Sequence, residues 1–216
     1  MKILMIDRSL AFAQAFEFYL EHKAGIEVTT ICTNVDDALV AVREYEVDLI
    51  ILDAGLNGRG PLAVVNQVNV RGISTPFILL AEPKQLAIIN KAFSCGAKGA
   101  FSRNETIQNL TVHVQKVASK NSQRWLSAEF GGDFTYDAEN DQFRATFESA
   151  SDQLTPRQME VFQLLAEGLT VKQAAERMHL SEKSVDSHKY RIMTRLDIHD
   201  RVALTRLAIR EGIIEP

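Results

Sequence analysis

The chain has 216 residues, 46% hydrophobic and 24% charged, with a net charge of −4, a balance and length that suit two globular domains. No apolar run approaches the roughly 20 residues of a membrane-spanning helix, and the short run after Met1 reads as a strand rather than a signal peptide. Cys32 and Cys95 stand far apart, outside any CxxC or Cys/His cluster, which argues against a metal or disulfide scaffold and for a cytoplasmic protein.

In chain order, Ile3 to Ile6, Ile26 to Ile31, Leu49 to Leu52, Phe77 to Leu80 and Gly99 to Phe101 read as strands. Leu49-Ile50-Ile51-Leu52 is apolar at successive positions, as in a strand covered on both faces. Segments near 9–22, 35–45, 61–70, 84–95 and 105–119 show helical spacing between them. Five such units predict a doubly wound α/β domain over residues 1–120, with a five-stranded parallel sheet of flavodoxin-like type. Functional groups in these sheets gather at the carboxyl ends of the strands. Asp7 and Asp53 each follow an apolar strand, so both belong at that edge.

Residues 121–150 break the rhythm with Gly131-Gly132 and scattered acids, and read as a linker with one short helix at most. Beyond it, residues 151–216 predict an all-α domain of four helices. Thr155-Pro156-Arg157-Gln158 offers a cap, a first-turn proline and a glutamine three residues after the cap. Thr170-Val171-Lys172-Gln173 opens a second helix, ending near Met178. Gly168 closes the first of these helices, Ser181 caps a third, running to about Arg195, and a fourth spans about Asp200 to Glu211, with Gly212 as its stop.

The second and third of these helices, joined through His179-Leu180, form a helix-turn-helix pattern. Val185, His188, Ile192 and Leu196 give the third helix one inward face, and His188 reads as a packed residue rather than a ligand. Lys183, Ser187, Tyr190, Arg191 and Thr194 lie opposite, residue types that reach phosphates and base edges in a major groove. Net charge does not single out this half, since residues 150–216 carry 10 Lys/Arg against 10 Asp/Glu. The basic signal is local: Lys183, Lys189, Arg191 and Arg195 face only Glu182 and Asp186 between Glu182 and Arg195.

The run from Leu154 to Ile214 closely resembles the LuxR/NarL-type DNA-binding domain, through Leu154-Thr155-Pro156-Arg157, Ala166-Glu167-Gly168-Leu169, Ala175-Glu176, Ser181-Glu182-Lys183-Ser184-Val185, Ser187-His188 and Ile192-Met193. The resemblance implies duplex DNA as partner, a homodimer, and a third helix that reads the DNA. It places Asp186, Ser187 and Tyr190 in base-reading slots and Lys183, Ser184, Lys189 and Arg191 at phosphates. A basic residue is common where Asp186 stands. The carboxylate there either accepts from a cytosine amino group or repels phosphates and sharpens specificity.

The N-terminal series, with Asp53 after the third strand, resembles a response-regulator receiver domain. The resemblance implies Asp53 as phosphoacceptor, a sensor histidine kinase as donor, and Mg²⁺ held by Asp53 and acids after the first strand. Asp7 keeps the first of those acids, but Arg8 stands in place of the second. Ala81 fills the Ser/Thr position, Ala100 the aromatic switch position, and Arg103 replaces the lysine after the fifth strand. The segment Leu56-Asn57-Gly58-Arg59-Gly60-Pro61 departs from the usual loop as well. These departures predict an atypical receiver in which Arg8 pairs with Asp53 or Asp7, no resident metal is held, and Asp53 either remains a working phosphoacceptor or is vestigial. Some relatives bind a cyclic dinucleotide through Trp-x-Ser/Thr-Arg. Trp125-Leu126-Ser127-Ala128 lacks that arginine, and no nucleophile, base and orienter occur together as in a hydrolase.

Overall fold

A computed structural model of the chain describes residues 1–56, 60–70, 75–119, 123–147 and 149–214. Asn57, Gly58 and Arg59, in the atypical loop, lie outside the described residues. Five strand–helix units come in the expected order: β1 (Lys2–Ile6), α1 (Leu10–Ala24), β2 (Glu27–Cys32), α2 (Val35–Glu44), β3 (Leu49–Asp53), α3 (Pro61–Val70), β4 (Phe77–Ala81), α4 (Leu86–Ser94), β5 (Gly99–Ser102) and α5 (Ile107–Ala118). All strand pairs in this sheet are parallel, in the order β2-β1-β3-β4-β5. β3 and β4 are buried along their whole length, which is why both read as unbroken apolar runs. Phe16 and Leu20 of α1 with Leu110 and Val114 of α5 form one core against the sheet. Side chains of α2, α3 and α4 form the core on the other face.

The sheet has six strands, which corrects the expectation of five. Trp125-Leu126 forms β6, which pairs in parallel with Gly99 and Ala100 at the edge of β5. The segment 121–150, expected to hold one short helix at most, carries more regular structure than that. After β6 come a short 3-10 helix, Ala128–Phe130, and an antiparallel hairpin of β7 (Phe134–Asp137) and β8 (Gln142–Ala145). The hairpin is held on α4 by aromatic packing. Phe93 lies 5.1 Å from Phe143 and 6.2 Å from Phe134, and Phe147 stands edge-on to Phe134. Two residues of strand are too few to show a period, and the alternation of Phe134 and Tyr136 facing Phe143 is short and framed by charge.

A second 3-10 turn, Ala150–Gln153, leads into α6 (Pro156–Ala166), α7 (Val171–Met178), α8 (Glu182–Arg195) and α9 (Arg201–Arg210). The two predicted capping boxes are both formed, at Thr155 with Gln158 and at Thr170 with Gln173. His179 adopts a left-handed conformation (φ 53°) in the turn between α7 and α8. Val185 and Ile192 are fully buried beneath α8, with His188 and Leu196 half-buried beside them.

The four-helix domain is docked on the α2–α3–α4 side of the sheet domain. The carboxylate of Glu160 on α6, buried, accepts from Asn66 of α3 at 2.5 Å and from Arg157 at 2.6 Å. Gln163 donates to the Leu56 carbonyl at 3.1 Å, and Lys91 of α4 donates to that of Leu154. Gly60 suits this position through its left-handed backbone (φ +69°), and a Cβ there would displace the end of the Gln163 side chain.

Candidate functional site

The carboxyl ends of β1 and β3 meet at the point where the strand order reverses, the usual location of a site in such sheets. Asp7 and Asp53 arrive there together, both buried. Two guanidinium groups close over them. Arg103, at the end of β5, grips Asp7 with Nη1 at 2.5 Å and Nη2 at 3.2 Å, and reaches Asp53 Oδ1 at 3.3 Å. Arg8 places Nε 3.4 Å from Asp53 Oδ2 and Nη2 2.7 Å from Glu82 Oε1. Its pairing with Asp53 is one of the two the sequence predicts.

Backbone donors complete the enclosure. Gly55 N–H donates to Asp53 Oδ1 at 2.9 Å, Arg8 N–H to Oδ2 at 3.3 Å, and Ser9 N–H to Asp7 Oδ1 at 2.8 Å. Each oxygen of Asp53 therefore faces one arginine and one N–H, and its side chain is 0% exposed. Burial pushes the Asp53 carboxyl above its usual range and nearby Asp7 adds to that, while Arg103, the Gly55 N–H and Arg8 pull it down. The Phe12 ring lies 4.5 Å from the Arg103 guanidinium and backs it.

Glu82 was not singled out from the sequence. The signal was an acid directly after Ala81, at the same sheet edge. Gly55 was also missed: a Cβ there would lie 2.5 Å from the Arg8 guanidinium carbon, so its lack of a side chain opens the space that Arg8 fills. Ala81 and Ala100 are both fully buried and bring no polar atom to the pocket from their side chains. The donor set does not suit Mg²⁺. The oxygens of Asp7 and Asp53 that would ligate it are turned to guanidinium groups, and Arg8 brings a cation where a third hard oxygen is needed. Among the described residues no cluster of three or more His, Cys, Asp or Glu is arranged to hold a metal ion.

The second candidate surface is α8. Lys183, Asp186, Ser187, Arg191 and Thr194 are exposed on it, and Tyr190 is 73% exposed. Ser184 and Lys189 are half-buried, and the Ser184 hydroxyl lies 2.8 Å from that of Ser181, the helix cap. Arg195 is drawn off the cationic cluster, donating to the Gln153 carbonyl at 2.9 Å.

Residues 3–115, more than half the chain, match the family model of the response regulator receiver domain. The chain belongs to the response regulators. Residues 152–208 match the model of bacterial regulatory proteins of the luxR family, so this is a two-component response regulator of the DNA-binding luxR type. It is similar to the response regulator UvrY of Escherichia coli strain K12, at 26% identity over 98% of this chain and 94% of that one. It is also similar to the oxygen regulatory protein NreC of Staphylococcus epidermidis, at 24% identity over the whole of both chains. Among solved structures it resembles the RcsB response regulator of Salmonella typhimurium, with a TM-score of 0.67 and 17% identity over 97% of this chain and 98% of that one. RcsB of Salmonella enterica serovar Typhimurium bound to promoter rprA in the presence of the phosphomimetic BeF3- gives a TM-score of 0.63 at 15% identity, covering 96% and 97% of the two chains. At these identities the structural likeness establishes the fold. No helix among the described residues of this response regulator is long and apolar enough to cross a membrane.

Proposed function

We propose that this response regulator is a sequence-specific transcription regulator whose receiver works without phosphorylation of Asp53. The observation that carries the second half is the enclosure of Asp53: the carboxylate has no exposed surface, and both its oxygens are engaged by an arginine and an N–H. A nucleophile must reach its phosphoryl donor, and this one is covered by side chains with fixed partners. Arg8 and Arg103 supply the positive charge that a divalent cation supplies elsewhere, so DNA binding needs neither Mg²⁺ nor phosphorylation by a sensor kinase.

DNA binding rests on α8. Lys183 and Arg191 contact phosphates, Asp186, Ser187 and Tyr190 face the base edges, and Lys189 with the N-terminal turn at Ser184 guides the approach. The protein works as a homodimer in the cytoplasm. In the docked arrangement Tyr190 and its neighbours stay exposed, which favours a DNA-binding surface that needs no release by phosphorylation.

The test is beryllofluoride with Mg²⁺, applied to the full chain and to Asp53→Asn, with duplex affinity and dimerisation measured. Both proteins are expected to bind alike and to ignore the reagent. The competing reading is the phosphorylation-activated regulator, with Arg103 reading the phosphoryl group from its present place beside Asp53. A rise of about tenfold in affinity, worth roughly 1.4 kcal/mol, that vanishes in Asp53→Asn would establish that reading instead.

A further inference from the structure

The Arg8–Glu82 pair joins the closed pocket to the loop between β4 and α4, and that loop carries the end of the DNA-binding domain. Glu82 Oε1 takes Arg8 Nη2 at 2.7 Å while Arg8 Nε stays on Asp53. The loop behind Glu82 is tightly closed on itself. Gln85 Oε1 accepts from the Glu82 N–H at 2.8 Å, Gln85 N–H donates to the Glu82 carbonyl at 3.0 Å, and Gln85 is buried.

On its far side this loop meets backbone. Gly212, just past α9, sits against the Lys84 carbonyl and the Gln85 Cα so closely that a Cβ on Gly212 would overlap that carbonyl. Its φ of +66° adds a second reason for glycine. The preceding residue, Glu211, accepts from Ser149 Oγ at 2.8 Å, Ala150 N–H at 2.9 Å and Ser151 N–H at 3.2 Å. It thus ties the end of α9 to the turn that leads into α6. Asp53, Arg8, Glu82, the loop 82–85, Gly212 and Glu211 form one unbroken series of contacts from the pocket to both ends of the helical domain.

We infer that Glu82 is a positioning residue: through Arg8 it couples the acid pocket to the loop on which the DNA-binding domain is seated. The pocket then sets where that domain sits, with the arginine as a fixed strut. An element of this kind transmits only what both ends feel, so the coupling is reciprocal. It holds whether or not Asp53 ever accepts a phosphoryl group, and the beryllofluoride experiment neither supports nor harms it.

The experiment is amide hydrogen exchange on the full chain. Glu82→Gln is expected to speed exchange not only in residues 82–85 but also in residues 209–214, by about tenfold, with the strands β1 and β3 unchanged. Gly212→Ala, which works from the opposite end, is expected to speed exchange at 82–85 and at the Arg8 amide. The double variant should show less than the product of the two effects, because the single variants break the same connection. Exchange that rises only around each substituted residue, or effects that multiply independently, would overturn the inference. If Glu82→Gln fails to fold by circular dichroism, the Gly212→Ala result at Arg8 alone decides it.

Discussion

His188 lies under α8 with its Nδ1 buried and no hydrogen-bond partner for it among the described residues. Burial lowers its pKa first, and Arg157 from α6 and Arg191 from its own helix lower it further. The folded domain therefore favours the neutral ring. Below the ordinary histidine value of about 6.5 the unfolded chain binds the proton more readily, so stability is full above that value. It declines as the pH falls towards the depressed folded pKa. His188→Gln is expected to remove this part of the pH dependence, measured by urea unfolding between pH 5 and pH 8. On the same helix Lys183 and Arg191 are exposed, and in the function proposed above they contact phosphates. Changing either to Ala is expected to weaken binding to all duplexes and to reduce the slope of log affinity against log salt by about 0.9. Tyr190→Ala should alter sequence preference and leave that slope unchanged, as read by binding-site selection at two salt concentrations.

Among the elements, the β7–β8 hairpin departs furthest from the sequence reading. A linker side chain can be replaced within about 0.5 kcal/mol. Phe134 is buried between Phe93 of α4 and Phe147, so Phe134→Ala is expected to cost about 3–5 kcal/mol in denaturant unfolding. The hairpin could have been found from Phe134, Tyr136 and Phe143, three aromatics at strand spacing across a polar turn. They were outweighed by seven acidic residues between Glu129 and Asp152, which make the segment look solvated on both sides. The helices of the DNA-binding domain were legible to within a residue or two for the opposite reason. Their ends are written in local chemistry, at Thr155, Thr170, Ser181 and Asp200, each of which caps its own helix.

For the whole molecule, the buried carboxylate of Glu160 and the apolar cluster around it run from α2 and α3 into α6 without a break. Two domains joined this way are expected to unfold together. Fluorescence of Trp125, the only tryptophan and part of the sheet, should trace the same urea transition as the far-ultraviolet helix signal. Glu160→Ala leaves Arg157 without its buried partner and removes the bond to Asn66. It is expected to cost about 1–3 kcal/mol and to separate the two transitions.

Local pattern carried most of this protein. Unbroken apolar runs marked the parallel strands, cap residues marked the helices, and the replacement of an acid by Arg8 beside Asp7 announced a cation in the pocket. Those signals act over a few residues, so they survive in the chain alone. The tertiary structure decided what depends on distant partners. It placed Arg103 on Asp7 across the sheet and brought Glu82 to Arg8. It added β6 to the sheet edge and seated Gly212 on the loop at Lys84. Each of these pairings joins residues dozens of positions apart, and no spacing in the sequence records which of many charged, short or glycine positions will meet once the sheet has closed.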